Sequence, residues 1–125
     1  MSDEVTTQKV VLIVEDEKIV AIMAEAMLKT LGYASVVCAD GSSAVATFKD
    51  RCDDIEFVLL DVLLPDMDGI EIYGELKALD PEVKCIVSSG LALDDSIEAL
   101  LAQGANAFIQ KPFKVAQLKS AIDGF

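Results

Sequence analysis

The chain is 125 residues long, enough for one domain around one hydrophobic core. Its formal charge of −12 argues against direct contact with nucleic-acid phosphates or anionic lipid, and favours cations or basic protein surfaces as partners. Although 53% of the residues are hydrophobic, no uncharged apolar run approaches the roughly 18 needed to span a bilayer, and the lack of any histidine excludes histidine-based catalysis and histidine metal sites.

Residues 1–8 read as a polar, acidic tail without the layout of a signal peptide. Residues 9–14 (KVVLIV) form a strand buried on both faces, and it ends in acid at Glu15, Asp16 and Glu17. A helix is predicted over 17–31, with Ile19, Ile22, Met23, Ala26 and Met27 as its core face and Gly32 as its stop. A second strand, 34–39, leads to Asp40-Gly41, where Asp40 caps a helix that turns Ala44, Val45 and Phe48 inward. The third strand, 55–60, runs into Asp61 and then a loop that Pro65 and Asp68-Gly69 prevent from continuing as strand. Ile72, Leu76 and Leu79 mark a third helix, ended ahead of Pro81. Residues 83–88 form strand four, followed by Ser89-Gly90. Asp94 or Asp95 caps a fourth helix carrying Ile97, Leu100 and Leu101, closed by Gly104. A short strand over 105–109 stops at Lys111-Pro112, and Val115, Leu118 and Ile122 describe the last helix. Cys38, Cys52 and Cys85 show no metal-ligand spacing and read as reduced, mostly buried thiols of a cytoplasmic protein.

Five strands alternating with helices predict an α/β fold: a doubly wound, five-stranded parallel sheet covered on both faces. Right-handed crossovers favour the strand order 2-1-3-4-5, which makes strands one and three neighbours at the switch point. Glu15, Asp16 and Asp61 then meet at one crevice, with Ser89 and Lys111 delivered to the same edge. Three carboxylates about 5 Å apart repel by about 3 kcal/mol per pair at an effective dielectric near 20. Such a cluster persists by binding a cation or by keeping some groups protonated, and an all-oxygen set points to Mg²⁺. A carboxylate nucleophile, a metal, a lysine and a hydroxyl around one point are the parts of a phosphoryl-transfer site, with Asp61 as the acceptor.

With these residues in hand, the chain resembles a response-regulator receiver domain of bacterial two-component signalling over 9–123. The resemblance rests on Glu15-Asp16, on Asp61, on the loop Leu64-Pro65-Asp66-Met67-Asp68-Gly69, on Ser89-Gly90 and on Lys111-Pro112-Phe113, each at a strand end and in order. It implies the flavodoxin-like receiver fold and phosphorylation of Asp61 by a histidine kinase or histidine phosphotransfer protein. It further implies Mg²⁺ held by Asp16, Asp61 and the Leu63 carbonyl, with Glu15 acting mainly through water. Ser89, Gly90 and Lys111 would bind the phosphoryl group. Ser89 with Phe108 would form the switch, although Phe108 alone reads equally as ordinary packing. Leu63 and Leu91 would flank the acceptor and set how fast it loses its phosphoryl group. Glu15, Ser89 and Phe108 stand where the family often has aspartate, threonine and tyrosine; Phe108 lacks the hydroxyl.

The implied role is a signalling phosphoacceptor without separate substrate turnover. A downstream protein or fused output domain, or a phosphorylation-dependent dimer, would meet the surface of helix four, strand five and helix five. Two other classes fit less well. A flavin- or nucleotide-binding module needs phosphate-binding backbone donors after strand one, where Glu15-Asp16-Glu17 instead repels phosphate. An aspartyl-phosphate hydrolase resembles an Asp-x-Asp pattern whose second Asp is the general acid, and that place is Leu63.

Overall fold

The computed structural model describes residues 9–90 and 94–125. Five strands, β1 (Val10–Val14), β2 (Ala34–Cys38), β3 (Ile55–Asp61), β4 (Cys85–Ser89) and β5 (Ala107–Gln110), form one parallel sheet in the order β2-β1-β3-β4-β5. Between and after them run α1 (Lys18–Thr30), α2 (Gly41–Arg51), α3 (Gly69–Leu79), α4 (Asp95–Ala102) and α5 (Val115–Asp123), with one 3₁₀ turn at Cys52–Asp54. The order and the parallel sense are those expected from the alternating pattern. The predicted tail over 1–8 lies outside the described residues.

The strands are apolar on both faces because the sheet is covered on both. Alternate side chains of β1 divide accordingly. Leu12 and Val14 join Phe48, Val58, Leu60, Ile72, Leu76, Ile97 and Leu100 in one core cluster, on the side of α2, α3 and α4. Val11 and Ile13 join Leu28, Phe57, Leu59, Ile86, Ile109 and Leu118 in the other, on the side of α1 and α5. Helix ends follow local chemistry. Asp40 accepts from the Ser43 N–H, Asp68 from the Glu71 N–H and Asp94 from the Ile97 N–H, so Asp94 rather than Asp95 caps α4. Gly32 and Gly104, past the ends of α1 and α4, take φ of 94° and 120°, a region that favours glycine.

Three expectations need correction. Helix α1 does not bury Ile19, Ile22, Met23, Ala26 and Met27. Ala21, Ala24 and Leu28 face the sheet, Met27 is half-buried, and Ile19, Ile22 and Met23 are 74%, 54% and 48% exposed. At about 100° per residue the buried stripe lies nearly opposite the expected one, and two alanines in it let the helix backbone approach the strands closely. Leu79 of α3 is likewise exposed, its place in the core taken by Tyr73. Strands four and five start later than predicted. Val83 sits in a turn, its N–H donating to the Asp80 carbonyl, while Asn106 brackets Cys85 with both its backbone N–H and its side-chain oxygen before β5 begins.

Candidate functional site

The site forms where β1, β3 and β5 end. Asp61 is the last residue of β3 and only 4% exposed, held between its neighbours because strand order places β1 on one side and β4 on the other. Glu15 follows β1 directly and is buried; its backbone N–H is pinned by the Cys38 carbonyl at 3.0 Å. Asp16 is exposed at the rim. One oxygen from each of Glu15, Asp16 and Asp61 lies within 4.8 Å of the others. The crevice expected from strand order is therefore present, and all three carboxylates meet in it.

Lys111, just beyond β5, supplies the cation. Its Nζ lies 3.0 Å from Glu15 Oε1, 3.2 Å from Asp61 Oδ2 and 3.9 Å from Glu17 Oε1. The remaining oxygens are also engaged. Asp61 Oδ1 accepts from the Leu63 N–H at 3.1 Å, and Glu15 Oε2 accepts from the Glu17 N–H at 3.2 Å. Burial pushes the Glu15 carboxyl above its ordinary value; the Lys111 hydrogen bond pulls it back, and the Asp61 charge adds to the rise. For Lys111, burial alone would lower the pKa, but the Glu15 hydrogen bond and the negative charges of Asp61 and Glu15 outweigh it, and the value is raised. The two directions differ in cause: burial dominates at Glu15, whereas at Lys111 the carboxylates of Glu15 and Asp61 outweigh burial.

Ser89, the last residue of β4, is fully buried, and its carbonyl accepts from the Lys111 N–H at 2.7 Å, tying the ends of β4 and β5 together. Gly90 is exposed beside the same mouth. Leu63 points outward at 59% exposure, while Leu91 lies outside the described residues. Phe108 is half-buried and packs against the core cluster that holds Ile97 and Leu100. From the mouth a groove of about 490 Å³ continues between α1 and the 111–113 segment, lined by Val20, Met23, Met27, Leu63, Pro112 and Phe113. The sequence reading missed that groove, and it missed Glu17 as a third acid near Lys111. The run Glu15-Asp16-Glu17 carried the signal for Glu17; nothing local signalled the groove.

The clustered side chains of Glu15, Asp16 and Asp61 offer only carboxylate oxygens, the kind of donor a hard divalent cation takes. The profile of the response regulator receiver domain matches residues 11–123. The chain belongs to that family. As a receiver it is 31% identical over 114 residues to the chemotaxis protein CheY of Bacillus subtilis, covering 90% of this chain and 93% of that one. It is 33% identical over 112 residues to the sensor kinase CckA of Brucella abortus, covering 90% of this chain but only 12% of the kinase. Among solved structures, the receiver domain of the sensor histidine kinase PA1611 from Pseudomonas aeruginosa superposes with a TM-score of 0.81 at 33% identity, covering 93% and 95% of the two chains; that structure has a magnesium ion coordinated in its active-site cleft. This chain is thus a receiver domain of two-component signalling, in a family whose members occur alone and within longer proteins.

Proposed function

We propose that this receiver, residues 9–123, accepts a phosphoryl group on Asp61 from the phosphohistidine of a histidine kinase or histidine phosphotransfer protein, with Mg²⁺ as cofactor. The observation that carries the reading is a buried strand-end carboxylate, Asp61, whose Oδ2 lies 3.2 Å from Lys111 Nζ within a cluster of acids. Asp16, Asp61 and the Leu63 carbonyl would hold Mg²⁺, with Glu15 acting mainly through water. When bound, the ion offsets carboxylate repulsion and the charge of the incoming phosphoryl oxygens.

A carboxylate oxygen of Asp61 attacks phosphorus, the P–N bond breaks, and its electron pair leaves with the donor's imidazole nitrogen. Lys111, already poised on Asp61, moves onto a phosphoryl oxygen, and the Ser89 hydroxyl and Gly90 N–H supply further donors. Hydrolysis of the acyl phosphate returns Asp61 to a carboxylate, so the chain acts as a signalling phosphoacceptor without separate substrate turnover. Ser89 turning toward the new phosphoryl group makes room for Phe108 to move inward. That repacks α4, β5 and α5, where a downstream partner, a fused output domain or a second copy would read the change. Driving such a switch from 1:99 to 99:1 takes about 5.5 kcal/mol, within reach of a few charge-assisted contacts.

Ile19, Ile22 and Met23 are exposed on α1, and Met23 lines the groove that opens beside Asp61, which supports a protein as phosphodonor. A cytoplasmic location accords with three free thiols, and among the described residues no helix is long and apolar enough to cross a membrane. Incubation with Mg²⁺ and acetyl phosphate should label one site, and Asp61→Asn should abolish the label. Labelling of Asp61→Asn at another residue would overturn the assignment.

A further inference from the structure

Helix α2 begins unusually. The first three N–H groups of a helix lack intrahelical acceptors, and here two carboxylates take all of them. Asp40, the N-cap, accepts from the Ser43 N–H at 2.8 Å, a common local arrangement. The other two N–H groups go to a residue remote in sequence. Asp66 Oδ1 accepts from the Gly41 N–H at 2.8 Å, and Oδ2 accepts from both the N–H and the hydroxyl of Ser42 at 3.0 Å. Those N–H contacts, Gly41 foremost, hold the Asp66 carboxyl below the ordinary carboxylate value. Met67 lies over the same spot: a Cβ on Gly41 would meet its sulfur at 2.8 Å and its Cβ at 2.9 Å, so a larger residue there has to push Met67 aside.

Asp66 sits at the tip of the loop that joins β3 to α3. The base of that loop is closed by the Gly69 N–H on the Val62 carbonyl at 3.1 Å and by a bridge between Leu63 and Asp68. Leu64 and Met67 pack against the core cluster below the loop. The clasp adds a polar tie from its tip to α2, which is anchored to the same mouth: it follows β2, whose Cys38 carbonyl holds the Glu15 N–H. Leu63, whose N–H holds Asp61 Oδ1, belongs to that base, three residues from the tip at Asp66.

We propose that Asp66 is a positioning residue of the phosphoacceptor site, fixing the 62–68 loop against α2 and with it the Leu63 carbonyl, so that Mg²⁺ affinity depends on a side chain that does not touch the metal. The inference rests on the reading of Asp61 as an Mg²⁺-assisted phosphoacceptor. Outer partners of a ligand contribute about tenfold or more to metal affinity. Two charge-assisted contacts at a helix N-terminus suffice to hold a short loop.

The test is calorimetric titration of Mg²⁺ into the unphosphorylated chain for wild type, Asp66→Ala, Asp66→Asn and Asp16→Ala, with amide hydrogen exchange of residues 62–69 measured in chelator. Asp66→Ala should weaken Mg²⁺ by about tenfold and speed exchange at Leu63 and Gly69 even without metal. Asp66→Asn carries the same charge change but keeps an acceptor for Gly41, and should recover most of the loss. Asp66→Ala with Mg²⁺ affinity within about twofold of wild type overturns the proposal, whatever happens to its melting temperature. Equal weakening by Asp66→Ala and Asp66→Asn also overturns it, since charge rather than position would then be the cause. Should Asp66→Ala fail to fold, Ser42→Ala, which removes one contact to Oδ2, must weaken Mg²⁺ measurably or the proposal falls. Failure of wild type to bind Mg²⁺, or no loss in Asp16→Ala, refutes the functional reading itself and the proposal with it.

Discussion

Replacing Lys111 with methionine keeps the length of the side chain and removes the one charge that holds the acidic mouth together. At 3.0 and 3.2 Å from Glu15 and Asp61 the ammonium gains about 5 kcal/mol from each at an effective dielectric near 20, before its own desolvation is counted. Its loss leaves two buried carboxylates facing each other, with oxygens within 4.8 Å, and removing one partner of a buried ion pair costs about 3–5 kcal/mol. Because Lys111 is 13% exposed and Glu15 can take up a proton, we expect the lower end, about 3 kcal/mol at pH 7 in chelator, read from urea denaturation. Two further signatures separate this from general damage. A dication among the carboxylates, about 5 Å from the missing ammonium, gains at least about 1.7 kcal/mol from its removal even in a water-like dielectric. Lys111→Met should therefore bind Mg²⁺ more than tenfold tighter and recover stability as Mg²⁺ is added. The pH dependence has a fixed sign. The Glu15 carboxyl is raised in the folded state, so its protonated form favours folding, and that contribution is lost as pH rises from its ordinary 4.5 through the folded value. Without Lys111 the largest influence holding Glu15 down is gone, the window extends upward, and the gap to wild type should narrow from pH 7 to pH 5. A deficit below about 1 kcal/mol in chelator, or one indifferent to both Mg²⁺ and pH, would refute this account of the cluster.

Leu63 is exposed at the mouth and cannot hydrogen-bond a water, and Leu91 has the same chemistry two residues after Ser89. Leu63→Asn with Leu91→Glu should speed loss of the phosphoryl group by about tenfold, the effect of one oriented hydrogen bond on the attacking water, in a decay assay at saturating Mg²⁺. An unchanged or slower decay would show that these leucines do not set the lifetime. Ile22→Lys on α1 should leave the melting temperature within about 2 °C of wild type, because the side chain is already exposed, and should leave labelling by acetyl phosphate intact. Transfer from a phosphorylated histidine protein should fall, and equal rates from that donor in both proteins would remove α1 from the donor surface.

The residues of the site were legible because each interrupts an apolar strand at its end. Glu15 follows a fully buried β1, and Asp61 closes a β3 that is buried at every position but Glu56. Once alternation fixes a parallel sheet, strand ends converge whatever the sequence between them, so carboxylates far apart in the chain could be placed together before any coordinate was known. The clasp of Asp66 on α2 was not legible. Nothing near position 66 announces an acceptor for two N–H groups on another helix, and Asp68, three residues before Glu71, looks like the capping residue and is one. The face of α1 was misread for a different reason. Its sequence, KIVAIMAEAMLKT, offers two apolar stripes, and the charged residues Lys18, Glu25 and Lys29 lie roughly 100° from each, so periodicity has no means of choosing. Fit against the sheet chooses: Ala21 and Ala24 admit the close approach that Leu28 then fills, and the bulkier stripe is turned to solvent. Ile19, Ile22 and Met23 are therefore not needed for the core, yet they remain large and apolar on a chain with a charge of −12. Folding accounts for the alanines of α1. It gives no reason for isoleucine at 19 and 22, which are exposed on the same helix as Met23 of the groove beside Asp61, and that is the placement Ile22→Lys tests.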